Sequence, residues 1–124
     1  MQYSKLIPII NVKERTVMAL TKSFSKDKKK CSVTFLVSAE AAQGVKKINI
    51  AGDFNSWSST DTPLQQNLDG SFSVTLELQA GREYQFRYLF DGIKWENDWD
   101  ADKYIPAPFS NADNSVVVCI DESK

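Results

Sequence analysis

Two stretches, "SFSVTLEL" and "EYQFRYLF", alternate apolar and polar residues without a break and are joined by a short link containing Ala80-Gly81. In the first, Phe72, Val74, Leu76 and Leu78 share one face, with Ser71, Ser73, Thr75 and Glu77 on the other. In the second, Tyr84, Phe86, Tyr88 and Phe90 oppose Gln85, Arg87 and Leu89. A period of two belongs to a pleated strand, and a slip of one residue would turn the whole apolar set to water. The same reading gives strands in "CSVTFLVS", with Val33, Phe35 and Val37 inward, and in "VKKINIAG", with Ile48 and Ile50 inward. "SVVVCI" closes the series, and Val116, Val118 and Ile120 are its expected core face. Turn residues mark the joints: Leu68-Asp69-Gly70, Ala80-Gly81 and Asp91-Gly92. Short strands with regular turn signals and no long helix between them predict an all-β antiparallel sandwich.

The N-terminal part reads differently. Val12, Thr16, Val17, Leu20 and Phe24 fall at loosely helical spacing, and "SKDKKK" is a solvated charge run. The expected division is an N-terminal extension over 1–30, partly helical or flexible, a sandwich domain over 31–121, and a tail over 122–124. Met18-Ala19-Leu20 resembles a translation start, which would place 1–17 outside the domain; a mass measurement on the native protein decides this.

A chain of 124 residues can bury a core as one domain. Its net charge of −1 gives no electrostatic case for nucleic acid or an anionic membrane as the main partner. No stretch is apolar for long enough to span a bilayer, and "LIPII" is too short and too interrupted by Pro8 for a secretion signal, so a cytoplasmic location is expected. Cys31 and Cys119 lie near the two ends of the sandwich and read as free, half-buried thiols, with a disulfide as the rival. There is no histidine, which removes the commonest general base and metal ligand together. Two distant cysteines do not make a four-ligand zinc site, and neither a cofactor nor a metal is implied.

All three tryptophans lie in short polar loops, Trp57 in "GDFNSWSS" and Trp95 with Trp99 in "DGIKWENDWD". An indole exposed beside Gly, Asp, Asn and Ser suits a ligand that is apolar on its face and polar at its edge, as a sugar is. Arg87, out of phase with the core residues of its strand, should emerge on the opposite face, where such a ligand would need it. The ordinary alternatives are that Trp57 caps the sandwich end and that Arg87 is a plain exposed strand residue. Phe54 reads as a core plug and Asn55 as the residue that holds the turn.

The ordered series "INIAGDFNSWS", "GSFSVTLELQAGREYQFRYLFDGIKWENDW" and "NSVVV" resembles the glycogen-binding domains of carbohydrate-binding module family 48, the isoamylase N-terminal or early-set domains. The β subunit of AMP-activated protein kinase carries a related domain, and the chain looks most like small bacterial single-domain members. The likeness runs from Cys31 to Asp121, close to three quarters of the chain. It implies an immunoglobulin-like early-set sandwich that binds α-1,4-linked glucan without catalysis. By motif position, the sugar-stacking rings would be Trp57 and Trp95, and the residues bonding hydroxyls Arg87 and Asn114. Trp99 is expected to pack with Tyr104 or the Pro106-Ala107-Pro108 segment, or else to widen the platform; Phe109 is by default buried, with a sugar contact from its loop as the rival.

Three departures from the kinase-type pattern bear on affinity. Arginine stands where that pattern has lysine, an extra residue (Ile93-Lys94) precedes Trp95, and "PAPFSNAD" does not reproduce the leucine and threonine contacts. Three functions are therefore weighed. The first is glucan binding, which would hold a partner such as a glycogen-metabolising enzyme on the polymer. The second is an interaction or scaffold module whose tryptophans are protein anchors. The third is a hydrolase using Glu96, Asp98, Asp100 and Asp102, which the sequence disfavours because acidic residues in one loop are ordinary turn chemistry.

Overall fold

A computed structural model describes residues 18–108 and 110–121. Nine strands follow in order: β1 (Met18–Phe24), β2 (Lys30–Val37), β3 (Ile48–Gly52), β4 (Gln65–Gln66), β5 (Phe72–Gln79), β6 (Arg82–Phe90), β7 (Lys94–Glu96), β8 (Lys103–Pro106) and β9 (Asp113–Cys119). A single turn of 3-10 helix over Asp53–Asn55 follows β3. One sheet has the order β1-β2-β5-β4; the other is β3-β6-β9-β8, with β7 also on β6. All pairings are antiparallel, and the two sheets pack as the expected immunoglobulin-like, early-set sandwich.

The alternating residues meet between the sheets. Val33, Phe35, Val37, Ile48, Ile50, Phe72, Leu78, Tyr84, Phe86, Tyr88 and Phe90 belong to one buried cluster. Phe35 and Phe86 pack edge to face at 5.1 Å, a favoured arrangement of ring quadrupoles. Tyr84 turns its hydroxyl back to donate to Gln79 O at 2.7 Å, fastening the β5–β6 link as a tyrosine corner does.

Two expectations need correction. The core residues of β9 are Val117 and Cys119, while Val118 is half-buried and Ile120 exposed. Pairing sets this phase: Tyr84 lies opposite Val117 and Arg82 opposite Cys119, so Val116 and Val118 fall on the outer face. The helical spacing around Leu20 also gives way, because Met18–Phe24 is an edge strand paired along its length with β2. Leu20 and Phe24 pack on the core from one strand face. Lys22 shares that phase but extends its stem across the sandwich edge, donating to Asp102 Oδ2 at 2.8 Å and Val118 O at 2.9 Å on the other sheet. Val12, Thr16 and Val17 lie outside the described residues.

Cys31 and Cys119 are free and fully buried, one in each sheet. Burial, reinforced by the adjoining Cys31, pushes the Cys119 thiol up to about 12. The thiolate is the reactive species. A chromogenic disulfide reagent at pH 8 should therefore titrate no thiol in the native protein and both in denaturant; labelling of the folded chain within minutes would contradict this packing.

Candidate functional site

The site residues are positioned by β6, which lies at the centre of its sheet. Its even-numbered residues face the core, so Gln85, Arg87 and Leu89 emerge on the outer face. Across the register, Ala51 lies opposite Arg87, Val116 opposite Gln85, and Trp95 opposite Leu89. Ala51, Val116 and Leu89 are all buried and make an apolar floor at this face. Leu89 was expected outward and is; it is nonetheless covered. Trp95, directly across from it, remains 44% exposed.

The polar groups on that floor are bonded to one another. Arg87 Nε donates to Asn114 Oδ1 at 2.8 Å, and Asn114 Nδ2 donates to Gln85 Oε1 at 2.9 Å. Asn114 is buried, whereas Gln85 and Arg87 are half-buried.

Trp57 is held at the Gln85 end by the turn after β3. Gly52 lets that turn close against β6: a Cβ there would lie 2.6 Å from Gln85 O and 2.8 Å from Phe86 Cβ. Phe54 packs between Phe35 and Tyr84, at 5.8 Å and 6.2 Å. Asn55 holds the loop, accepting from Gly52 N and Ser58 N while its amide donates to Ile50 O and Thr62 Oγ1. Asp53 uses both carboxylate oxygens: Oδ1 accepts from Trp57 Nε1 at 3.0 Å and Oδ2 from Gln85 N at 2.7 Å. The indole N–H is thus engaged, and the half-buried ring keeps only part of its surface for a ligand. Ser56 and Trp57 both have left-handed backbone, φ 57 and 59, unusual for so bulky a side chain as an indole.

Arg87 and Asn114 are thus bonded to each other on the outer face, Trp95 stands opposite Leu89 on that face, and Trp57 is tied through Asp53 to the Gln85 backbone. Asp53 and Gln85 join them and were not singled out from sequence. Gln85 was legible only as an outward residue, and Asp53 only as a member of the turn motif.

Trp99 lies elsewhere. It is 56% exposed and lines a groove of about 460 Å³ with Phe90, Ile93, Lys94 and Glu96. Lys94 and Glu96 lie opposite Phe90 and Tyr88, so this groove opens on the other side of β7 from Trp95. Phe109 lies outside the described residues.

The acidic loop is occupied by structural contacts. Asp98 is fully buried; Oδ2 accepts from Tyr88 Oη and Oδ1 from Asp100 N, each at 2.8 Å. Burial raises its carboxyl above the ordinary aspartate range. Its backbone is fixed as well, N donating to Ser115 Oγ and O accepting from Tyr104 Oη. Glu96 pairs with Lys94 and Asp102 with Lys22. Among the described residues no group of three or more His, Cys, Asp or Glu is placed to hold a metal ion, and no helix is long and apolar enough to cross a membrane.

Residues 37–121 match the family described as the glycogen recognition site of AMP-activated protein kinase. No curated protein matches the chain.

Proposed function

We propose that this chain, which belongs to the family of the glycogen recognition site of AMP-activated protein kinase, binds α-1,4-linked glucan on the outer face of β6 and performs no catalysis. The observation that carries the reading is the bracketing of a hydrogen-bonded polar row by two indoles. Trp57 is tied through Asp53 to the Gln85 end, and Trp95 stands opposite Leu89 at the other. A pyranose has C–H groups on its faces and hydroxyls at its rim. Indoles and an apolar floor cover the first, and Arg87 with its neighbours serves the second, since buried hydroxyls without partners would each cost a few kcal/mol. The site is an open face, so affinity should be modest, with Kd weaker than about 1 μM. A module of this kind would hold an enzyme of glycogen or starch metabolism on its polymer, where tethering raises effective concentration.

Titration with maltoheptaose and β-cyclodextrin, followed by tryptophan fluorescence, tests this. Covering about 80 Å² of apolar surface at about 25 cal/mol per Å² contributes about 2 kcal/mol, roughly thirty-fold in affinity. Trp57→Ala and Trp95→Ala should each lose about that factor while keeping the wild-type melting profile, and Trp99→Ala should not. A folded wild-type protein with no response at millimolar sugar would instead favour the interaction-module reading.

A further inference from the structure

The polar row on β6 has a direction that can be read from one end. Arginine carries no acceptor atom, so the Asn114 atom 2.8 Å from Arg87 Nε is the amide oxygen. The Asn114 nitrogen is then the atom that meets Gln85, and Gln85 must offer its oxygen to it. What is left over is the Gln85 Nε2 group at one end and the terminal guanidinium nitrogens of Arg87 at the other. Both are donors, and neither has a partner among the described residues. Asn114, between them, is 7% exposed, and its amide oxygen and nitrogen each hold one of these bonds. The Gln85 backbone is itself fixed, because its N–H donates to Asp53.

We propose that Gln85 is a sugar-contact residue, and that Asn114 is a positioning residue which orients Gln85 and Arg87 without touching the ligand. This rests on the glucan reading above and assigns its polar contacts. The groups left wholly unbonded at these two positions are donors, so the rim favours lone pairs on sugar hydroxyl oxygens. The contact expected of Asn114 from motif position passes to the residue beside it on β6.

Gln85→Glu is the direct test. Glutamate keeps the length and an oxygen for Asn114 to donate to, but puts an acceptor where the free N–H₂ was. At fixed ionic strength, maltoheptaose affinity should fall about tenfold with the melting temperature unchanged. Gln85→Leu, which carries neither charge nor amide, should lose a similar factor. Asn114→Asp still accepts from Arg87 but forces the Gln85 amide to turn over, presenting its oxygen outward. It should therefore cost several-fold in the wild-type background and less than twofold in the Gln85→Leu background. An equal loss in both backgrounds would make Asn114 a contact and overturn the assignment. Wild-type affinity in Gln85→Glu would overturn it while leaving the glucan reading intact; a wild-type protein that binds no glucan would remove both.

Discussion

Gly52→Ala is expected to destabilise the domain by about 3 kcal/mol, a fall of roughly 10–20 °C in melting temperature. The reason is space rather than backbone freedom, because Gly52 is extended at φ −170, which any residue adopts. An added methyl would lie 2.6 Å from Gln85 O, 2.8 Å from Phe86 Cβ and 2.9 Å from Phe54 Cζ. Two of those neighbours belong to β6 itself, and a backbone oxygen cannot swing aside as the end of a flexible side chain can. The end of β3 must therefore move off β6, carrying Asp53 away from Gln85 N. Glucan affinity should fall with stability for that reason. Thermal unfolding by circular dichroism checks the first part; a melting temperature within a few degrees of wild type would show that the turn relaxes freely.

Asp98→Ala should be comparably damaging, by about 3 kcal/mol, because two donors lose their acceptor at once. Tyr88 Oη is buried, where an unpaired group costs about 1–3 kcal/mol, and the part-buried Asp100 N adds a smaller loss. The loss should also loosen the segment between β7 and β8, since Asp98 anchors it through Ser115 and Tyr104. Urea denaturation measures the effect, and a change under 1 kcal/mol would show that the pocket refills with water. The same residue gives a pH signature. Its folded-state pKa is raised, so the folded chain holds that proton more tightly than the unfolded one. Its contribution is then fully present below the unfolded pKa and lost as pH rises through the folded value. Wild type should gain stability relative to Asp98→Asn as pH drops from 7 towards 4. A difference that stays flat over that range would contradict the raised pKa.

The legibility of this fold followed the contrast between neighbouring residues. In β5 and β6 every second residue is polar or charged, apart from Leu89, and both strands were read in phase. In β9 three valines run together with no polar residue between them to mark a face, so only pairing with Tyr84 and Phe86 decides which is inside. In β1, Leu20 and Phe24 are four apart, which fits a strand and a helix equally, and Lys22 interrupts the apolar phase at the position that would have separated the two. The site divides the same way. Trp57, Trp95, Arg87 and Asn114 could be placed by motif, and in the structure Arg87, Asn114 and Trp95 lie on the outer face while Trp57 is tied to Gln85 through Asp53. Asp53 and Gln85 could not, because their roles depend on an interstrand bond, Gln85 N to Asp53, between residues 32 apart in sequence. Trp99, four residues beyond Trp95, reads from sequence as a packing residue or else a widening of the platform, and the groove it lines lies across β7 from Trp95.

Because Trp57 is tied through Asp53 to Gln85 and Trp95 stands opposite Leu89, both indoles take their places from β6, which works as a measuring rod. Gln85 and Leu89 are four residues apart, about 13–14 Å along an extended strand. The bond from its indole N–H to Asp53 holds Trp57 at the Gln85 end. On the glucan reading, a ligand shorter than this rod can engage one indole or the other but not both. Selection for polymer over small sugar would then come from the pitch of a β-strand, with no need for a wall to keep short sugars out.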